Sequence, residues 1–398
     1  MKLLKLLLTA AVIALQLPAT AFAEEAKAAP NPTSGNTPSA APALAGSARS
    51  AIMMDADTGT VIFEKNSHDK LPPASITKVM TMLLIMEALH NGTIKLTDKV
   101  TTSEYAASMG GSQIFLEPGE EMTVDEMLRG IALASGNDAS VAMAEKLAGT
   151  EQQFVASMNA KAQELGLKDT HFSNCNGLPT ADHYTSAHDI AVISRELLKY
   201  PEITSYTGLY QDHLRKTSAK PFWLVNTNKL VRFYSGADGL KTGFTTEAKY
   251  CLTATAKRDG FRIIAVVMGE PNTKTRNAEV TQMFDYAFAQ YMNYPIFKSG
   301  DTIGNLKIEK GAVQSMPIVA SQPYSVLLRK GADLKNIRHE LKMNPSMKAP
   351  IAKGQQIGTL AVYQGNQLLK EFPLEAPEAV GKASLWGMMK RSIGGLFK

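Results

Sequence analysis

The sequence predicts an α/β protein of the α+β kind: an antiparallel sheet flanked by helices, then a small all-β domain and a C-terminal amphipathic helix. Three observations predict it. Strand-like runs stand at both ends of a long helical middle, so the outer strands can share one sheet with helices on its faces. Residues 294–380 show short alternating runs broken by Gly, Pro and Asn, as a small β domain does. The final stretch, KASLWGMMKRSIGGLFK, separates apolar from basic residues at helical spacing. A chain of 398 residues has room for two or three domains, and 44% hydrophobic with 20% charged residues describes a globular protein. The net charge of +5 is too small to imply nucleic acid, and there is no glycine fingerprint for a nucleotide.

In chain order, MKLLK and the apolar run LLLTAAVIALQL read as a signal peptide, residues 1–23, cleaved after Ala21-Phe22-Ala23. The run is too short to span a bilayer, so an exported protein is expected. Residues 24–47, rich in Ala, Pro, Ser and Gly, read as a flexible linker. Residues 48–293 read as one domain. SAIMMDA and TVIFEKN form a hairpin turned at Asp57-Thr58-Gly59, and an apolar helix follows PPASITKVM. DEMLRGIALAS, NDASVAMAEKLAG, EQQFVASMNAKAQELG and SAHDIAVISRELLKY space their apolar residues by three and four, so residues 104–200 are mostly helical. GADGLKTGFT, AKYCLTATAK and FRIIAVVMGE read as strands, the last two joined at Arg258-Asp259-Gly260. NAEVTQMFDYAFAQYMN closes the domain as a helix. Residues 294–380 form the β domain and 381–398 the terminal helix. Cys175 and Cys251 could form one disulfide in an exported chain or remain two buried thiols.

Chemistry enters at PPASITKVM. Lys78 follows Ser75 by one helical turn, at the mouth of an apolar helix where a lysine must be desolvated or paired. Alone, the pair reads more readily as an N-cap and a lysine reaching for solvent. The same spacing recurs at Ser67 and Lys70, inside the polar turn EKNSHDK. Two further motifs separate the copies. Ser135-Gly136-Asn137 lies between two helical segments, where a C-cap and an N-cap could also explain it. Lys241-Thr242-Gly243 lies on a strand, where a bulge glycine could.

The ordered triplet Ser-x-x-Lys, Ser-Gly-Asn, Lys-Thr-Gly resembles the penicillin-recognising serine acyl enzymes. With the flanks DADTGTVIFEKN, PPASITKVMT, GGSQIFLEPGEEMTVDEMLRGIALASGNDASVAMAE and DGLKTGFTTEAKYCLTATA, the chain is similar to the low-molecular-mass penicillin-binding proteins, the D-alanyl-D-alanine carboxypeptidases. The likeness covers nearly all of the mature chain. It implies a penicillin-binding, β-lactamase-like fold. It implies a peptidoglycan stem peptide as substrate, an acyl-Ser75 intermediate and β-lactams as inhibitors, with no cofactor. Ser75 is then the nucleophile and Lys78 its base, provided burial and a second cation, Lys241, lower its pKa. Ser135 is the shuttle that protonates the leaving D-alanine, and Asn137 contacts the Ser75–Lys78 pair and the peptide. Lys241, Thr242 and Arg276, with Gly243 on the same strand, receive the substrate and its terminal carboxylate. The resemblance places the oxyanion hole at the backbone N–H groups of Ser75 and Phe244.

His183 and His188 lack a third ligand at metal-like spacing and stand where Thr185 or Ser186 would cap a helix. Glu117-Pro-Gly-Glu-Glu121 reads as a solvated turn. A β-lactamase of class A would need a Glu-x-x-x-Asn segment after Asn137, and none of Glu145, Glu151, Glu164, Glu196 and Glu202 has Asn four residues on. Penicillin should therefore acylate Ser75 and leave slowly. A non-catalytic wall-binding protein on the same fold is opposed by the intact Ser75, Lys78, Ser135, Asn137 and Lys241. In the tail, Leu385, Trp386, Met389, Ile393, Leu396 and Phe397 share one arc, and residues 382–398 contain no acid. That pattern, like the family's, suits a helix on an anionic membrane surface, here the outer face of the cytoplasmic membrane.

Overall fold

In the computed structural model, which describes residues 43–344 and 347–384, strands from both ends of the first domain meet in one sheet. The order is Val61–Lys65, Ser50–Asp55, Phe261–Glu270, Lys249–Arg258, Ala237–Thr245, antiparallel throughout. The alternation along the strands sorts the side chains into two layers. Ile52, Met54, Ile264, Val266 and Met268 join a core with the helices Lys78–His90 and Ala187–Leu197. Ala51, Met53, Ile263, Ala265 and Val267 join a second core with the helix Thr273–Gln290, through Val280, Met283 and Phe284. Both faces of the sheet are covered, which is why its central strands read as nearly unbroken apolar runs. Each fully buried Ile, Leu or Phe in these layers contributes roughly 1.5–3 kcal/mol. From Lys78 to Met86 the helix Lys78–His90 runs through the first core, and Val79, Met80, Met82, Leu83 and Ile85 are fully buried. This buried helix and the edge strand Ala237–Thr245 form the frame of the site.

The second domain has its own core, with Leu306, Ile318, Val326, Leu360, Val362 and Leu374 among its members. Its strands pair as Tyr291–Phe297 with Tyr324–Arg329, Thr302–Lys307 with Ser315–Val319, and Ile337–Met343, Gln356–Gln364 and Gln367–Glu375 as a three-stranded sheet. Lys370 Nζ donates to Thr58 O at 3.0 Å, and Asn293 donates to Asp57, tying this domain to the first hairpin.

Several details differ from the sequence reading. Leu44 and Ala45, expected in the linker, are buried in the second core. Lys65 Nζ donates to the carbonyls of Ala45, Gly46 and Ala48, and Ser47 N donates to Glu279 Oε1 at 2.8 Å. Ordered packing therefore starts earlier than the proline-rich composition suggests. The strand Tyr291–Phe297 begins inside the stretch expected to be helical, without a linker after Gln290. A hairpin, Gln211–Leu214 with Phe222–Val225, stands where no element was expected. Both cysteines are free and buried. The signal peptide, residues 24–42 of the linker and the terminal helix from Leu385 onward lie outside the described residues.

Candidate active site

Ser75 sits in a 3₁₀ turn, Ala74–Thr77, that leads straight into the helix Lys78–His90. Pro73, at φ −79° and ψ −22°, already has helical backbone angles at the N-cap of that turn. Ala74 then takes a left-handed φ of 49°, unusual for a residue with a side chain. Two glycines let other segments close on this turn. A Cβ on Gly177, whose φ is 86°, would lie 1.9 Å from the Ala74 carbonyl oxygen. A Cβ on Gly243 would lie 3.0 Å from Pro73 O and 3.1 Å from Ser75 N, so the Lys-Thr-Gly strand lies against the Ser75 turn.

Lys78 is 0% exposed. Its Nζ lies 3.1 Å from Ser75 Oγ and donates to Asn137 Oδ1 and to the Asn176 carbonyl, each at 2.6 Å. The Asn137 amide cannot be flipped, because its Nδ2 donates to Gly110 O at 2.7 Å. The loop that carries Gly110 is held by buried Asp138, whose carboxylate accepts from the backbone N–H groups of Ile114 and Leu116. Burial pushes the Lys78 amine down to about 7, against the pull of Asp138. Cys175 is itself buried and its thiol pKa is pushed well up, so it offers no negative charge. A neutral amine has two N–H groups and one lone pair. Two carbonyl oxygens claim the N–H groups, which leaves the lone pair for the Ser75 hydroxyl.

The expected second cation is present. Lys241, 1% exposed, has its pKa pushed far down by burial, then by Lys78 and Arg276. Burial is the largest cause of the lowered pKa at both lysines, and repulsion between them disfavours charging both at once. Arg276 is also buried, and burial lowers its pKa to about 10. Lys241 Nζ donates to Thr242 O at 2.9 Å, and Arg276 Nε and Nη2 reach only the amide oxygen of Asn277. None of these cations pairs with a carboxylate among the described residues. Buried charge without a counter-charge is expensive, so the cluster is prepared for an anion.

Ser135 ends a π turn, Gly130–Ala134, in the left-handed region at φ 64°. Its buried Oγ has no hydrogen-bond partner among the described residues. Thr242 Oγ1 donates to Thr227 Oγ1 at 2.7 Å. Phe244 is 52% exposed, and its ring packs tilted against Tyr250. A cavity of about 270 Å³ adjoins the turn, lined by Pro73, Ala74, Gly177, Leu178, His183 and Thr245. A larger one, about 350 Å³, opens at the far end of the helix around Met86, Leu89 and Tyr200, and it touches none of the residues singled out for chemistry.

The decoys resolve by their surroundings. Ser67 donates to Glu64 and Lys70 lies exposed over Tyr184. Ser186 caps its helix by accepting from Asp189 N at 3.1 Å. Glu120 is more than a solvated turn residue, for it pairs with Arg215 at 2.7 Å. Sequence reasoning did not find Asn176, Asp138, Gly177 or Thr227. Asn176 acts through a backbone carbonyl, which no side-chain motif reports, although Asn-Gly at 176–177 does mark a tight turn.

Residues 36–272 match the family model described as D-alanyl-D-alanine carboxypeptidase, and residues 291–382 match that of the penicillin-binding protein 5 C-terminal domain. The D-alanyl-D-alanine carboxypeptidase DacF of Bacillus subtilis (strain 168) is 55% identical over 351 residues, 88% of this chain and 90% of that protein. DacA of Escherichia coli (strain K12), another D-alanyl-D-alanine carboxypeptidase, is 31% identical over 348 residues, 85% of each chain. Among solved structures, penicillin binding protein 5 from Haemophilus influenzae is similar with a TM-score of 0.72 at 30% identity, over 87% of this chain and 100% of that one.

Proposed function

The chain belongs to the D-alanyl-D-alanine carboxypeptidase family, and from that premise we propose that Ser75 is its nucleophile and Lys78 its general base. The activity is serine-type D-Ala-D-Ala carboxypeptidase, the removal of the terminal D-alanine from peptidoglycan pentapeptides. The observation that carries the residue assignment is the fully buried Lys78 amine, with a pKa near 7 and its lone pair left for Ser75.

Neutral Lys78 takes the hydroxyl proton as Ser75 Oγ bonds to the carbonyl carbon of the penultimate D-alanine. The backbone N–H groups of Ser75 and Phe244 hold the resulting oxyanion. The C–N bond breaks, and the proton passes from Lys78 through Ser135 to the leaving amine. The unpartnered hydroxyl of Ser135 supports that role. Water then gives a proton to Lys78 and attacks the acyl carbon, and Ser75 leaves with a proton restored. Asn137 orients Lys78. Lys241, Thr242 and Arg276 receive the substrate carboxylate along the strand that holds Gly243. A bound carboxylate supplies the counter-charge these cations lack, so Lys241 takes up a proton on binding.

A fluorescent penicillin tests the assignment. Stable labelling of the wild-type chain, absent from Ser75→Ala and unchanged by a chelator, is the expected result. Rapid turnover of the label would point to a β-lactamase, and no labelling of the wild type to a wall-binding protein.

The enzyme is further proposed to be exported and held on the outer face of the cytoplasmic membrane by residues 382–398. The basic and apolar arcs of that segment support this reading, and among the described residues no helix is long and apolar enough to cross a membrane.

A further inference from the structure

Behind the Ser75 turn lies a histidine that takes no proton in the steps above. His183 is 7% exposed. Its Nδ1 accepts from Ser173 N at 2.9 Å. A backbone N–H can only donate, so Nδ1 carries no proton. Its Nε2 lies 2.8 Å from Thr77 Oγ1, and the Thr77 hydroxyl donates to the Ala74 carbonyl at 2.8 Å. A carbonyl can only accept, so the Thr77 proton is committed to Ala74, and Thr77 Oγ1 must accept from His183 Nε2–H. The donors and acceptors thus fix a neutral ring protonated on Nε2. Burial above all, with lesser contributions from His171 and Lys78, pushes its pKa down to about 4, so the ring stays neutral where Lys78 titrates.

The chain of hydrogen bonds ends on a meaningful atom. The Ala74 carbonyl and the Ser75 N–H belong to one planar peptide and point to opposite sides of it. A donor fixed on the carbonyl sets the plane and adds positive character to the N–H across it, and hydrogen bonds in series strengthen one another. The plane needs holding, since Ala74 has a left-handed φ and Gly177 closes over its carbonyl.

We propose that His183, acting through Thr77 and the Ala74 carbonyl, orients and polarises the Ser75 peptide as the oxyanion donor of acyl transfer. The proposal rests on the reading of Ser75 as nucleophile with its own amide in the oxyanion hole. His183 is a positioning residue. Its effect belongs to the tetrahedral stage, when the oxygen carries charge, and not to the first non-covalent encounter.

Thr77→Val keeps the shape of the side chain and deletes both hydrogen bonds, while Thr77→Ser keeps the hydroxyl. Stopped-flow labelling of the full chain with a fluorescent penicillin separates the limiting acylation rate from the non-covalent dissociation constant. Thr77→Val and His183→Phe should each lower the limiting rate about tenfold or more, with the dissociation constant changed by less than about twofold. Thr77→Ser should restore most of the rate. The double variant should be no slower than either single one, because one relay is cut once. A limiting rate within about twofold of wild type in Thr77→Val overturns the relay. Should these variants fold poorly, the nitrogen-15 spectrum of the wild-type imidazoles decides: at pH 5.5 His183 must be neutral and protonated on Nε2, and a charged ring or the other tautomer overturns the proposal. Mapping the penicilloyl adduct separates the premise from the relay. An adduct on another residue removes both, whereas an adduct on Ser75 with an undiminished Thr77→Val rate removes the relay alone.

Discussion

At Lys78 the cost of burial becomes chemistry. A lysine with no solvent contact holds its proton less tightly than a free one, and its pKa falls from 10.5 to about 7. The sign follows directly: the protonated form has no lone pair, so acylation by penicillin should rise as pH increases through about 7. Rates measured between pH 5 and 9 at constant ionic strength check this, and a flat profile would remove Lys78 from the base role. Lys78→Arg keeps the charge but cannot deprotonate, so its acylation rate should fall by about a hundredfold or more. Ser75, Lys78 and Asn137 were legible because short motifs keep side chains of one helix or loop together. Asn176 and His183 were not legible as partners. They come to the site from a loop distant in sequence, and one of them acts through its backbone.

Helix, edge strand and loop meet at two glycines, and these should behave differently when replaced. Gly177→Ala forces a Cβ into the Ala74 carbonyl at a left-handed φ. It should destabilise the fold by about 2 kcal/mol or more, read by urea unfolding. Gly243→Ala sets its Cβ at 3.0–3.1 Å from Pro73 O, Ile76 N and Ser75 N, where the strand can give by a few tenths of an ångström. Stability should change by less than about 1 kcal/mol, while acylation falls about tenfold because the oxyanion donor is crowded. Equal loss of stability in both variants would contradict this division. The central strands were legible because both faces of the sheet are covered and their runs are apolar. The hairpin Gln211–Leu214 with Phe222–Val225 was not, because its turn residues are polar and Lys-rich and no alternation stands out. The π turn before Ser135 was hidden because its residues, GIALA, share the apolar spacing of an ordinary helix.

Over the whole molecule, a peptidase domain and a β domain with separate cores follow one another directly, and the described chain ends at Ser384, where Lys382, the first residue of the proposed membrane segment, is not helical and pairs with Gly311 of the β domain. If residues 382–398 are the anchor, their deletion should move the enzyme from the membrane pellet to the supernatant with its catalytic rate intact. A truncated chain that still sediments with membranes would place the anchor elsewhere. The order of the three motifs carried most of the functional reading, since each is weak alone and the fold brings them around one buried amine. The claim on which everything else depends is the acyl-serine at position 75, and release of D-alanine from a pentapeptide by Ser75→Ala tests it most directly. The account predicts no release above background from a variant that folds as the wild type does. Release at the wild-type rate would contradict it.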